Sequence, residues 1–278
     1  MKCRKGRVKR VNVKNMGSLV ADLERDLQKD HRVFLFLDYD GTITPIVETP
    51  EDAVLDEDTK ELLARLVGVG QIDLVVVSGR AIDDLRQMTG EVPGLRMIGN
   101  HGFDSEGGEI PDSSGLEETI RVYGEKLKSM EEKYPGLLLE YKKVALSVHY
   151  RKVDSQKAAD LMPEFFVWWL ENGDPDNFMV MAGKKVFEIK PRKINKGTAV
   201  LKMIDELRET ESKSARRYIY IGDDITDEDA FRELRKFSGG KAYTVAVGEA
   251  RPTRARYRVD EIEQVKTVLR KIIEIMAN

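Results

Sequence analysis

Residues Val33 to Thr44 read VFLFLDYDGTIT, and no other stretch limits the fold as strongly. Five apolar residues, Val33 to Leu37, run without interruption into Asp38, Tyr39, Asp40, Gly41 and Thr42. A short apolar run with β-branched and aromatic members fits a strand buried on both faces, as in a parallel sheet. Open parallel sheets bind their ligands just beyond the carboxyl ends of the strands. Asp38 and Asp40 therefore sit where an α/β protein would hold a ligand, and alternation can turn residues i and i+2 toward one side. Two ionised carboxylates that close repel, so a metal, a lysine or a shared proton has to compensate. Asp-Gly is also a common turn dipeptide, so the pair needs partners elsewhere in the chain.

Those partners recur at matching places. Leu55, Leu62, Leu63, Leu66 and Val67 pattern a helix that Gly68 and Gly70 end. Ile72 to Val77 reads as a second buried strand running into Ser78, Gly79 and Arg80, with a helix through Ile82, Leu85 and Met88. A hydroxyl at a strand end before a helix suits a phosphate oxygen, though it could equally cap that helix. Leu95 to Ile98 reads as a third strand, followed by Gly99, Asn100, His101 and Gly102. From about Ser105 the pattern loosens into a Gly-, Ser- and Pro-containing linker. Helices over Leu116–Tyr134 and Ala158–Leu170 then alternate with strand pairs over Leu137–Tyr141 with Val144–Tyr150 and Phe178–Met181 with Val186–Ile189, the last two turned at Gly183-Lys184. Phe165, Phe166, Trp168 and Trp169 read as that block's core.

After Pro191 the parallel-sheet pattern returns. Asn195-Lys196-Gly197 opens a helix, Tyr218 to Ile221 is a strand ending in Gly222-Asp223-Asp224, and Thr226 to Asp229 begins another helix. A strand at Tyr243–Val247 and a helix from about Glu261 to Met276 complete the chain. The expected organisation is a doubly covered α/β core over residues 30–104 and 192–278, with an α+β block, 105–191, inserted between its halves. Residues 1–29 precede it as a basic arm and a short helix through Val20, Leu23 and Leu27; positions 1–14 hold seven Lys or Arg and no acid. A net charge of -3 gives no global field for nucleic acid. The single cysteine, Cys3, rules out an internal disulfide. No apolar run approaches the roughly eighteen residues of a membrane span, and no signal core follows the basic start, so a cytoplasmic protein is expected, with neither membrane nor nucleic acid as partner.

Asp38, Asp40, Ser78, Lys196, Asp223 and Asp224 thus all fall at strand ends or helix starts of one core. Carboxylates from two strands, with no cysteine or histidine cluster, suit a hard oxygen-seeking cation, for which Mg2+ fits best. A lysine opening a helix adds positive charge for an anion. This set matches phosphoryl transfer, where positioning and charge neutralisation carry the catalysis.

DYDGT at 38–42, Ser78, Lys196 and GDD at 222–224 resemble, in order and context, the four motifs of the haloacid dehalogenase (HAD) superfamily. A finer resemblance is to trehalose-6-phosphate phosphatases, carried by LDYDGTITPI (37–46), SGR (78–80), GNHG (99–102), LEYKKVALSVHYR (139–151), FEIKP (187–191), KGTAV (196–200) and GDDITDEDAF (222–231). It implies a Rossmann-like HAD core with an inserted cap, and hydrolysis of trehalose 6-phosphate through a phosphoaspartate. Asp38 would be the nucleophile and Asp40 the acid and base. Mg2+ would be held by Asp38, the main-chain carbonyl of Asp40, and Asp223, with Asp224 and Asp227 supporting these ligands. Ser78 and Lys196 would hold the phosphoryl oxygens, with Thr42 as a further donor. Glu140, Lys142 and Glu188 match the family's sugar-binding positions, and Arg80, His149 and Arg151 are weaker candidates; His101, placed after a strand end among glycines, could touch the ligand, act as acid or base, or brace its loop.

Two departures bear on the sugar. Lys190 stands where the family usually carries an arginine before proline, and Phe103-Asp104 follows GNHG where a small residue and Glu are more usual. The resemblance also implies a pathway link to a trehalose-phosphate synthase. Four other readings compete: a phosphatase for another sugar or polyol phosphate, a non-catalytic sugar-phosphate sensor, a mutase or phosphotransferase, and a protein tethered to nucleic acid or membrane by its basic arm.

Overall fold

A computed structural model describes residues 13–47, 49–105, 113–183, 185–209, 215–239 and 241–277. Most of the basic arm, most of the linker after Ser105, and Lys184 of the expected turn lie outside the described residues. The elements begin with α1 (Met16–Asp26), β1 (Arg32–Asp38), α2 (Glu57–Gly68), β2 (Ile72–Val77), α3 (Ile82–Thr89), β3 (Arg96–Gly99) and β4 (Asp104–Ser105). There follow α4 (Ser113–Lys133), β5 (Leu138–Lys142), β6 (Ala145–His149), α5 (Ser155–Asn172), β7 (Phe178–Gly183) and β8 (Val186–Pro191). The chain closes with α6 (Lys196–Glu209), β9 (Arg216–Gly222), α7 (Asp227–Phe237), β10 (Ala242–Val247), β11 (Tyr257–Val259) and α8 (Ile262–Ala277). None of the described helices is long and apolar enough to cross a membrane.

The chain divides into two compact units, Met1–Gly107 with Asn195–Asn278, and Gly108–Ile194. The first holds a seven-stranded sheet in the order β11-β10-β9-β1-β2-β3-β4. All neighbours are parallel except β4, a two-residue edge strand antiparallel to β3. The mixed α/β architecture agrees with the expectation from sequence. From β1 the chain steps outward through β2 and β3 on one side, and through β9, β10 and β11 on the other. The carboxyl ends of β1 and β9 therefore form the switch point where such sheets leave a crevice.

Alternation along β1 assigns its residues to two layers. Leu35 and Leu37 join a core built with α1, α2, α3 and α8. Phe34 and Phe36 join another built with α6 and α7, and Tyr218 and Tyr220 of β9 do the same. Asp38, the next even position, faces the α6–α7 side. Local signals fix the helix starts: Asn15 accepts from the Ser18 amide, and Asp56 from the Thr59 amide.

The second unit is a four-stranded antiparallel sheet, β5-β6-β8-β7, packed with α4 and α5. Leu139, Leu146, Val148, Phe187, Ile189 and Val180 point into that core. Glu140, Ser147, Glu188 and Met181 form one cross-strand row on the opposite face. Phe165 is fully buried as expected, whereas Phe166, on a neighbouring helix face, is 40% exposed.

The sequence grouped α1 with a basic arm, but Leu19 and Leu23 are fully buried and α1 packs as part of the first unit. Lys14, read as tail, pairs backbone with Tyr257 and donates to Asp22 at 2.7 Å. Asp22 also accepts from the Tyr257 hydroxyl at 2.7 Å and lies 2.7 Å from Arg25. The Lys14 and Tyr257 hydrogen bonds outweigh burial and hold the Asp22 carboxyl well below its ordinary value. A depressed folded pKa contributes stability that is present above the unfolded value, about 3.9, and lost as pH falls through the folded one. Asp22→Asn is expected to cost about 1–3 kcal/mol at pH 7. In urea unfolding, its gap from the parent protein should narrow as pH falls from 4 toward 2.

Candidate active site

Asp38 closes β1 and is buried. Lys196 opens α6, and Asp227 opens α7 on the same side of the sheet. Asn195 sets the start of α6: its side chain accepts from the Thr198 amide at 3.1 Å, and its own amide donates to Thr198 Oγ1 at 3.2 Å. Gly197 then lets the two helix starts meet, because a Cβ there would press on the Asp229 carbonyl. Lys196 Nζ donates to Asp38 Oδ1 at 2.5 Å and to Asp227 Oδ1 at 2.7 Å. Thr42 Oγ1 donates to Asp38 Oδ2 at 3.2 Å.

Asp227 is fully engaged. Beyond Lys196, its Oδ1 accepts from the Tyr220 hydroxyl at 2.7 Å and its Oδ2 from the Asp224 amide at 2.8 Å. Asp224 itself is exposed and accepts from the Thr226 hydroxyl at 3.3 Å. Asp223 differs, since its Oδ1 is buried with no hydrogen-bond partner among the described residues. Gly41, at φ 81°, brings the loop after β1 against this group, where a Cβ would collide with the Asp223 carboxylate. Arg251 donates to the Asp223 main-chain carbonyl from the β10–β11 loop.

Oxygens of Asp38, Asp223 and Asp227 all lie within 4.8 Å of one another. With one ammonium among three carboxylates, two negative charges stay uncompensated when all are ionised, a deficit that a divalent cation fills. Burial, then the charge of Asp227, pushes the Asp38 carboxyl well above its ordinary range. The same two causes push Asp223 up to about 6. Burial works against the Lys196 ammonium, but Asp227 and Asp38 outweigh it and raise its pKa. An orphaned buried oxygen beside crowded anions is what a hard cation would relieve, and Asp38 and Asp223 are the residues placed to hold it.

Ser78 stands one residue beyond Val77, the register partner of Asp38. It is buried, and its Oγ accepts from the Arg80 amide at 3.1 Å. Asp40 is held by a cation: Arg80 grips it with two bonds, Nε to Oδ2 at 2.7 Å and Nη2 to Oδ1 at 2.6 Å. The Arg80 guanidinium also lies over the Tyr39 ring, 5.8 Å from its centre. His101 folds back onto this loop, its amide donating to the Ser78 carbonyl at 3.0 Å.

Glu140, Lys142 and Glu188 belong to the second unit and meet on its sheet face away from α4 and α5. Lys142 Nζ is 3.9 Å from both Glu140 and Glu188, while the nearer partner of Glu140 is His149 Nε2 at 2.7 Å. Lys190 lies 3.8 Å from Glu188 on the same face. Two site residues escaped the sequence reading. Tyr220 reads as core because it sits in an apolar strand, and its only signal is its place two residues before Gly222. Arg251 acts from a loop that carries no motif.

A family model described as trehalose-phosphatase matches residues 36–263. Trehalose-phosphate phosphatase B of Arabidopsis thaliana is 30% identical over 268 residues, 88% of this chain and 67% of that protein. A bifunctional trehalose-6-phosphate synthase/phosphatase of Thermoproteus tenax is 32% identical over 257 residues, 91% of this chain but 33% of that protein, so this chain spans about a third of its length. The structure of Aspergillus fumigatus trehalose-6-phosphate phosphatase superposes with a TM-score of 0.68 at 27% identity, covering 94% of this chain and 98% of that one.

The site's electrostatics set a sign for metal binding. Asp223 has a raised folded pKa, so the metal-free native state binds more protons than the unfolded chain between about pH 4 and 6, and this site costs stability as pH rises. A cation reverses that cost. Mg2+ is expected to raise the thermal midpoint by several degrees at pH 7.5 and by much less at pH 5. Asp223→Asn should raise the metal-free midpoint at pH 7.5 and abolish the Mg2+ shift.

Proposed function

The chain belongs to the trehalose-phosphatase family, and on that premise we propose how its residues hydrolyse trehalose 6-phosphate. The observation that carries the reading is the buried Asp38 carboxylate at the switch point, held by Lys196 and Thr42. A carboxylate fixed in this way is a nucleophile with a defined direction of attack. One Asp38 oxygen forms a bond to phosphorus as the bond from phosphorus to the sugar oxygen breaks. The electron pair stays on that oxygen, which takes a proton from Asp40 and leaves as trehalose. Water then attacks the phosphoaspartate, its proton passes to Asp40, and the bond to Asp38 breaks to release phosphate. The proton gained in this second step is the one donated in the next turnover, so Asp40 serves as base and acid in turn.

Lys196 offsets negative charge on Asp38 and on the incoming phosphoryl group. Among the described residues Ser78 Oγ is engaged as an acceptor, which leaves its proton for a phosphoryl oxygen. Mg2+ would be held by Asp38, Asp223 and the Asp40 main-chain carbonyl, and when bound it neutralises charge on the phosphoryl oxygens. Asp227 and Asp224 brace these groups, Asp227 through Lys196, Tyr220 and the Asp224 amide. Glu140, Lys142 and Glu188 supply the mix of acceptors and donors that sugar hydroxyls need.

Phosphate release from trehalose 6-phosphate, glucose 6-phosphate, sucrose 6-phosphate and an aryl phosphate, with Mg2+ and with EDTA, tests the reading. Strong preference for trehalose 6-phosphate is expected, lost in EDTA and reduced at least about 10^3-fold by Asp38→Asn. Equal turnover of all four sinks the sugar assignment. Near-normal turnover by Asp38→Asn sinks the nucleophile.

A further inference from the structure

Asp40 lies in a loop, with its side chain about one third exposed, yet an acid and base must present its carboxyl at one point. A bridge to Thr44 fixes its backbone, and the fork from Arg80 fixes its side chain. Its two bonds, 2.6 and 2.7 Å long, match the planar guanidinium to both carboxylate oxygens. Arg80 is in turn held on three sides. Its guanidinium rests over Tyr39, whose hydroxyl donates to the Ala53 carbonyl at 2.7 Å. Its amide donates to Ser78 Oγ, and its carbonyl accepts from the Asn100 amide at 2.7 Å.

The Gly99–Gly102 segment forms the outer wall of this support. Asn100 and His101 both take positive φ, 48° and 55°, which costs backbone strain. That fold-back lays the His101 ring against Gly79, where any Cβ would collide with it. The turn thus packs against the residue before Arg80, and its amides at Asn100 and His101 bond the Arg80 and Ser78 carbonyls, so one loop braces the other.

We infer that Arg80 is a positioning residue for Asp40, and that the 78–80 and 99–102 loops lock together to hold its guanidinium in place. This rests on Asp40 as the acid and base of the proposed reaction. It replaces a direct sugar contact for Arg80, and it gives His101 a structural role.

The test is a double-mutant cycle with trehalose 6-phosphate and Mg2+, using Arg80→Lys, Arg80→Gln, Asp40→Asn and the combined variants. Arg80→Lys keeps the charge and loses the fork; Arg80→Gln keeps a planar donor, so the cycle has two independent arms. Each arginine change should lower kcat about 10^2-fold with KM within about threefold. In the Asp40→Asn background the same change should alter kcat by less than about threefold, because nothing is left to position. Release of 4-nitrophenolate in the first turnover needs no protonation of the leaving group, so it should fall less than about threefold. Full additivity of the two losses, or a rise in KM with kcat unchanged, overturns the inference and returns Arg80 to the substrate. Near-normal turnover by Asp40→Asn alone instead overturns the acid-base reading, and this inference with it.

Discussion

The first unit depends on one buried ammonium. Lys196 sits between Asp38 and Asp227 with almost no exposure, and a charge so placed is tolerable only with ionic partners on both sides. The geometry of the whole site follows from meeting that condition. Asp38 has to close β1, Lys196 has to open α6, and Asp227 has to open α7. Those helix starts must approach each other, and they do so at Gly197. Asp38, the proposed nucleophile, therefore owes its orientation to an ion pair that also joins two helices to the central strand.

The balance is incomplete on the anionic side. Asp227 has a donor on each oxygen, and Asp40 has Arg80, but one oxygen of Asp223 has none among the described residues. A buried acceptor left in this state costs stability, and such costs are commonly found at functional sites. In the proposed reaction the acidic residues thereby divide into distinct roles: Asp227 would brace, Asp40 would be steered, and Asp223 would take the cation.

Much of this could be read from sequence because parallel strands announce themselves. Val33–Leu37 and Tyr218–Ile221 are unbroken apolar runs, Ile72–Val77 is interrupted only by Asp73, and each ends just before the residues that the sheet presents at its carboxyl edge. Helix starts were as plain, since Asn195 and Asp227 stand at the boundaries where they act. What stayed hidden has no local signal. The grip of Arg80 on Asp40 spans 40 positions of sequence, and that of Lys14 and Tyr257 on Asp22 needs α1 to lie beside β11. β4 and β11 are two and three residues long, too short for periodicity to show. In the second unit the alternation of β5 separated Leu139 from Glu140, but the pairing of Glu140 with His149 depends on strand register.

In the proposed reaction Asp38 carries the phosphoryl group between substrate and water. Rapid quenching during turnover of trehalose 6-phosphate, followed by borohydride reduction and peptide mass spectrometry, tests it most directly. An acyl phosphate is reduced to an alcohol, so residue 38 should be recovered as homoserine, and only when substrate and Mg2+ are both present. Reduction at another carboxylate, or none during active turnover, would rule out Asp38 as the carrier of the phosphoryl group.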